Sequence, residues 1–217
     1  MAVTLYGAAL SPFVARVMLA CDFKGIAYQL TMPKDGIKSP DFLKLNPFGK
    51  MPTITDGKDV VYESSVIVDF LDAKYKKKKL VPSAAKAGAQ ARLLATVAAE
   101  YVQPGGLTIF RLVRAKSNDA AAMDAAKSDL IKGLDVLEKL LSGKKFAAGG
   151  SATIADCFVI PALFFATEVG ALAGITNALT SRPKLAAYWA GMKKNKIVAK
   201  LVAAMGARLQ QILVDQF

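Results

Sequence analysis

The chain has no histidine in its 217 residues. That absence excludes a Ser-His-Asp triad, histidine-liganded zinc and histidine acid-base catalysis within this chain. Cysteine is nearly absent too. Cys21 and Cys157 both fall in apolar runs of helical pattern, which predicts buried free thiols without a bridge and suits a reducing compartment. Charge is sparse, with 21% charged against 53% hydrophobic residues, and this excludes a disordered chain. A secretory leader is missing as well: "MAVTLYGAALSPF" lacks a basic start and turns at Ser11-Pro12 before a long apolar core builds, so a cytoplasmic chain is expected. The most apolar segment, "CFVIPALFFATEVGALAGI", contains Pro161 and Glu168 and follows Asp156, which predicts a core helix and no membrane insertion.

The charge that is present is lopsided, at +12 net. Such a field attracts nucleic acid, acidic lipid or anionic small molecules. The lysines are nevertheless dispersed, except in "KYKKKK" from Lys74 to Lys79, where no aromatic-interleaved basic motif accompanies them. That run reads as a solvated helix end. No specific nucleic-acid partner is expected, although the charge leaves an RNA-associated role open.

Two halves are legible. In the first, "VTLY" is extended, Pro12 to about Lys24 is helical, "AYQLTM" is extended, and a polar loop follows. Val14, Val17, Met18 and Cys21 keep the spacing of a helix face. "TITDGKDVVY" places two β-branched runs around Asp56-Gly57, a hairpin signal, and "SSVIVDFLDAKY" returns to helical spacing with Val66, Phe70 and Leu71. This βαβ then ββα order is the thioredoxin-like arrangement. After "LVPSAAKAGAQ" the pattern is helical to the end, with stripes at Leu130, Leu134, Leu137 and Leu141 and at Ile197, Leu201, Met205, Leu209 and Ile212. The expected fold is an α/β N-terminal thioredoxin-like domain over residues 1–80, followed by an all-α helical-bundle domain over 88–217.

Four local features carry chemistry. Ser11-Pro12 has the residues favoured at a helix N-cap and first turn, where a hydroxyl and the positive helix end also stabilise an anion. "NPFGKMP", Asn46 to Pro52, precedes a strand, and a cis bond before Pro52 would turn the Met51 backbone toward a ligand. "ESSVI", Glu63 to Ile67, puts a carboxylate, a hydroxyl and free N–H groups at a helix start, so Ser64 is either an ordinary cap or a carboxylate site. "TIAD", Thr153 to Asp156, has the spacing of a capping box and reads as structural.

Taken in this order and at these separations, the features resemble the cytosolic glutathione transferases over nearly the whole chain. "LYGAALSPFVARV" resembles the serine-type catalytic loop and first helix, "NPFGKMP" the loop before the family's cis-proline, and "ESSVI" the γ-glutamyl recognition motif. "FAAGGSATIADC" is similar to the family's capping box and hydrophobic staple, and "RPKLAAYWAGM" to its penultimate helical region. The serine-type phi and tau groups and their bacterial relatives are the nearest in pattern.

The resemblance implies glutathione as cosubstrate and no metal. It implies that Ser11 donates a hydrogen bond to the glutathione sulfur, favouring the thiolate without any base. A cysteine there would instead form a mixed disulfide itself. Lys38, Lys50, Met51, Pro52, Glu63 and Ser64 are the implied glutathione-binding set: Met51 through its backbone, Glu63 toward the γ-glutamyl ammonium, Ser64 toward its carboxylate, and Lys38 toward the glycyl carboxylate. Ile37 departs from the phi-like pattern, in which a polar side chain is frequent, and Lys38 reads equally as a solvent-facing lysine. Tyr6, though other branches activate the thiol with a tyrosine, reads as a packed strand residue. The implied electrophile pocket involves Leu10, Phe13, Phe110, Arg111 and Arg114. Phe48 falls where relatives insert an aromatic into a second subunit, so a homodimer is expected. The implied reaction adds glutathione thiolate to hydrophobic electrophiles. Peroxidase, dehalogenase or ether-cleaving use of the same thiolate, and a noncatalytic ligand- or protein-binding module, remain alternatives.

Overall fold

A computed structural model of the protein describes residues 2–142 and 145–215. Its first half consists of β1 (Val3–Tyr6), α1 (Pro12–Lys24), β2 (Tyr28–Thr31), α2 (Pro40–Leu45), β3 (Thr53–Asp56), β4 (Asp59–Tyr62) and α3 (Ser64–Lys74). The four strands form one sheet in the order β2-β1-β3-β4, with β1 and β2 parallel and the other pairs antiparallel. Val3, Leu5 and Ile54 are fully buried, as are Val14, Val17 and Cys21 on α1 and Ile67, Val68 and Leu71 on α3. Each such aliphatic side chain contributes about 1.5–3 kcal/mol of transfer free energy. Gly7, which follows β1, has to be glycine because a Cβ there would collide with the Val14 side chain.

The second half is helical. α4 (Ala85–Val97) runs through a wider π-type turn at Ala98–Val102 into α5 (Gln103–Arg114), and α6 (Ala120–Leu140) packs back along it. α7 (Ile154–Phe164) passes through a second π-type turn at Phe165–Val169 into the short α8 (Gly170–Leu172). Pro161 lies inside α7 and removes one helical N–H, and wider turns of this kind occur where the helical ladder is interrupted. α9 (Pro183–Lys193) and α10 (Lys196–Val214) complete the chain. α1 packs against α3, α7 and α10, so one core spans both halves. Among the described residues two segments, Ile154–Leu172 and Lys196–Val214, are long and apolar enough to cross a membrane by length and composition. The first is 83% buried and forms the central helix of the bundle.

Three details differ from the sequence pattern. The polar loop after β2 contains α2, which is capped by Ser39 accepting from the Phe42 N–H at 3.3 Å and opens with Pro40. Its single buried side chain, Phe42, gives no periodic signal, although the cap residues do. On α3, Val66 is 52% exposed, because the face that meets the sheet carries Ile67 and Leu71, one position on. The lysine run is only briefly helical: α3 ends at Lys74, and Lys76 to Lys79 lie in the connection beyond it.

That connection is held by a buried ion pair. The Lys24 ammonium meets Asp72 Oδ1 at 2.7 Å and also donates to the Lys77 and Lys78 carbonyls, while Asp72 accepts the Leu80 and Val81 N–H groups at 2.8 and 3.2 Å. Burial pushes the Asp72 carboxyl up, but these N–H donors and Lys24 outweigh it and hold it below the usual range. A carboxyl lowered in the folded state adds stability above its ordinary pKa of 3.8 and loses it as pH falls through the folded value. Asp72→Ala is therefore expected to cost about 3–5 kcal/mol in urea unfolding at pH 7, because it strands a buried ammonium. Between the wild type and the variant, the gap should shrink as pH drops below 3.8. A gap that stays constant with pH would reject the pair as its source.

Candidate functional site

Strand register gathers the sequence motifs. Tyr6, the last residue of β1, pairs with Thr31 at the end of β2 and with Thr53 at the start of β3, and Thr53 pairs with Tyr62 at the end of β4. The segments that leave or enter the sheet at this edge are therefore Gly7–Ser11, the loop bearing Lys38, Asn46–Pro52 and Glu63–Ser64. Four separate stretches of sequence meet at one end of one sheet.

At the first of these, Ser11 caps α1 and is partly exposed. Its Oγ accepts from the Val14 N–H at 3.4 Å, with Pro12 following in the first turn. A serine hydroxyl has two acceptor lone pairs and one proton. Capping uses a lone pair and leaves the proton available for an incoming anion. Tyr6 is half-buried and packs edge-on against Phe42 at a centroid distance of 5.5 Å, as a strand residue should. Cys21 and Cys157 are both buried, and burial raises the Cys21 thiol to about 12 and the Cys157 thiol well above its ordinary value. Neither is a competing nucleophile at neutral pH.

The Asn46–Pro52 loop is organised by the Asn46 side chain. Asn46 is 1% exposed. Its side-chain amide donates to the Lys50 carbonyl and to Thr53 Oγ1, both at 3.0 Å, and its oxygen accepts the Phe48 N–H at 3.0 Å. An Asn ahead of a turn is the available signal, since its side chain bonds the backbone two residues on. The Met51-Pro52 peptide bond is cis, and Met51 stands outside the β3 ladder, which begins at Thr53. Gly49, at φ 56, is pressed against the Ile37 carbonyl, where a Cβ would come to 2.7 Å. Lys38 lies over this loop and donates to the Phe48 carbonyl at 3.0 Å. Lys50 is exposed, with its ammonium 5.9 Å from the centre of the Phe48 ring.

The third segment is conformationally unusual. Glu63 precedes α3 with φ 66 and ψ 118, a backbone position costly for a residue with a Cβ, and its carboxylate makes no capping bond. Strain of this kind clusters where a side chain or N–H must be aimed. Ser64 is 6% exposed, and its Oγ accepts from Arg16 Nη1 at 3.2 Å. Arg16 falls outside the Val14, Val17, Met18 and Cys21 stripe, so helical periodicity turns it away from the buried face and gives no sign of its burial at 4% exposure.

The residues that the resemblance implies for an electrophile pocket divide by burial. Leu10 is 5% exposed and part of the core, Phe13 lies half-buried beneath Arg16, and Phe110 packs edge-on to Phe165 at 6.0 Å. Arg111 and Arg114 face solvent on the last turns of α5. Open clefts of about 710 and 690 Å³ occur elsewhere, along α9 and beside Lys24, and neither is lined by Ser11, Met51 or Ser64. Phe48 is 56% exposed and rests edge-on against Tyr62 at 6.0 Å. Thr153 and Asp156 lie in the bundle. There Asp156 accepts from the Thr153 N–H at 2.8 Å and its hydroxyl at 3.1 Å, and from the Ala147 N–H and the Tyr188 hydroxyl at 2.9 Å each.

Comparison with known proteins agrees with this layout. Residues 5–79 match the family model described as glutathione S-transferase, N-terminal domain, and residues 120–190 match the glutathione S-transferase, C-terminal domain. Glutathione S-transferase 3 of Zea mays is 33% identical over 214 residues, covering 93% of each chain. Among solved structures, glutathione S-transferase III in apo form superposes with a TM-score of 0.78 at 31% identity, covering 94% of this chain and 97% of that one. Glutathione S-transferase-I bound with lactoylglutathione superposes at 0.79 with 26% identity, over 94% of this chain and 100% of that one. Both halves match in sequence and nearly the whole chain matches in structure, and the chain belongs to the glutathione S-transferase family.

Proposed function

We propose that the chain is a glutathione transferase whose Ser11 hydroxyl stabilises the glutathione thiolate for attack on hydrophobic electrophiles. The observation that carries this reading is the convergence of Ser11, Met51, Ser64 and the Lys38 loop at one sheet edge. Four strands about 4.8 Å apart span roughly 14 Å, the reach of an extended tripeptide with its γ-linkage. Each part of glutathione then has a chemically matched group. The cysteinyl N–H and C=O meet the Met51 backbone beside Pro52 as a short strand-like contact. The γ-glutamyl carboxylate meets Ser64 and the N-terminus of α3, where free N–H groups favour an anion, and its ammonium meets Glu63. Lys38 and Lys50 supply positive charge on the glycyl side.

The chemistry follows from these contacts. The thiol loses its proton to solvent, and the sulfur anion accepts the Ser11 hydroxyl proton as a hydrogen bond, with the start of α1 behind it. The sulfur then forms a bond to the electrophilic carbon, whose leaving group or π-electrons take the displaced pair. No protein base takes part, in keeping with a chain that lacks histidine. Residues 1–80 bind glutathione in this account, and 88–217 supply much of the electrophile wall. No metal enters the scheme. Phe48 is 56% exposed, and Val66 on α3 and Leu93 on α4 are also large, apolar and exposed, which supports the homodimer reading. The family relationship and the reduced thiols support a cytoplasmic protein.

A panel of aryl halides, activated alkenes, epoxides and hydroperoxides, each assayed with glutathione, tests the reading. Conjugate formation with at least one carbon electrophile is expected. Turnover confined to hydroperoxides would move the assignment to a peroxidase. Failure both to turn over any substrate and to bind immobilised glutathione would favour a noncatalytic module.

A further inference from the structure

Helix α1 carries a buried cation that packing does not require. Arg16 is 4% exposed, and its guanidinium is stacked between the rings of Phe13 and Phe158, at 4.8 and 4.5 Å from their centroids. Of its three nitrogens, Nη1 donates to Ser64 Oγ at 3.2 Å, while Nε and Nη2 have no hydrogen-bond partner among the described residues. Burial lowers its pKa to about 10 against the pull of Glu100, so the group is still a cation at neutral pH. A buried guanidinium with unused donors is costly relative to an apolar side chain of the same size. Leucine or methionine would fill the slot between two phenyl rings without that cost.

We propose that Arg16 is a positioning residue for the γ-glutamyl carboxylate of glutathione, acting through Ser64. By donating to Ser64 Oγ it occupies one of the two lone pairs of the hydroxyl. The Ser64 proton has no acceptor on the Arg16 side, because a guanidinium accepts nothing, so it turns outward to the carboxylate. The fixed positive charge behind the hydroxyl also polarises it as a donor, and a charge-assisted bond of this type is stronger than a neutral one. Phe158 belongs to α7, so the clamp that holds Arg16 is shared between the two halves of the chain. The inference rests on the assignment of Ser64 to the carboxylate.

Its test compares two probes by calorimetry and steady-state kinetics: glutathione, and an analogue lacking the γ-glutamyl α-carboxylate. Arg16→Met should weaken glutathione binding about 10-fold and raise KM with kcat within about 2-fold, since a bond made equally in the ground and transition states raises KM alone. The analogue should bind the variant and the wild type equally, whereas a merely structural role would weaken both probes alike and overturn the proposal. In the Ser64→Ala background, Arg16→Met should have little further effect, since two groups that act as one unit are not additive. Should Arg16→Met fail to fold, Arg16→Lys carries the test: a loss of about 3-fold for glutathione with none for the analogue supports the proposal, and equal losses overturn it. Ser64→Ala separates the two readings. If it weakens glutathione while Arg16→Met does not, Arg16 alone is misassigned; if it leaves glutathione affinity unchanged, the Ser64 reading falls and this inference with it.

Discussion

Ser11→Ala is expected to lower kcat/KM for glutathione conjugation by about 10- to 100-fold while the protein stays folded. A hydrogen bond to a charged acceptor is worth about 1.5–3 kcal/mol, and each 1.4 kcal/mol is a factor of ten. The loss should fall on kcat at neutral pH, because in the proposed site the variant keeps the Met51 and Ser64 contacts to glutathione but holds less of it as thiolate. The deficit should narrow as assay pH rises and the thiol ionises unaided. Removing the cap on α1 costs about 1 kcal/mol in addition, since the bond replaced is the single 3.4 Å contact from the Val14 N–H. The two effects are separable: stability is read from urea unfolding and catalysis from the pH profile of kcat/KM. A pH-independent loss would mean that the substitution disturbs the loop and not the thiol.

The second large effect is expected far from the chemistry. Asp156 is fully buried and serves four donors: the Ala147 N–H, the Thr153 N–H and hydroxyl, and the Tyr188 hydroxyl. It completes the cap of α7 and ties that helix to α9 and to the turn before it. Asp156→Ala leaves several of these donors buried without acceptors, each costing about 1–3 kcal/mol, so a loss of about 4 kcal/mol is expected. That is a large share of the 5–15 kcal/mol typical of a folded domain. Low soluble yield and a much reduced urea midpoint are the expected result. Asp156→Asn should be milder, since one oxygen can still serve Ala147 and Tyr188. Desolvation raises the Asp156 carboxyl above its ordinary pKa despite these donors. The folded state therefore takes up the proton more readily than the unfolded chain, and this group's own contribution grows as pH falls through its folded pKa and is complete below the ordinary 3.8. A loss below about 1 kcal/mol in Asp156→Ala would contradict the structural assignment.

These two residues show how unevenly the molecule is written in its sequence. Asp156 is legible because a capping box is a local pattern: two residues within four positions, Thr153 and Asp156, fix the spacing and the mechanism. The same holds for α1, whose limits follow from Pro12 and from Gly25 in the left-handed region, and for the β3–β4 hairpin at Asp56-Gly57. Local rules failed where a single contact decides. α2 depends on one buried phenylalanine, and Val66 lies one position away from the stripe that meets the sheet. The site is intermediate. Its loops are recognisable as motifs, but what brings them to one edge is strand register, which only the paired sheet shows. Arg16 is the extreme case, because its significance lies in touching Ser64 across 48 residues of sequence and in the donors it leaves unused.

The central claim, that the nucleophile belongs to glutathione and is held as thiolate by a Ser11 hydrogen bond, is tested most directly by titrating the thiolate absorbance of bound glutathione in wild type and Ser11→Ala. The account predicts a wild-type midpoint about one to two units below the 8.5 of a free thiol, and a return toward that value in the variant. Identical midpoints in the two proteins would contradict it.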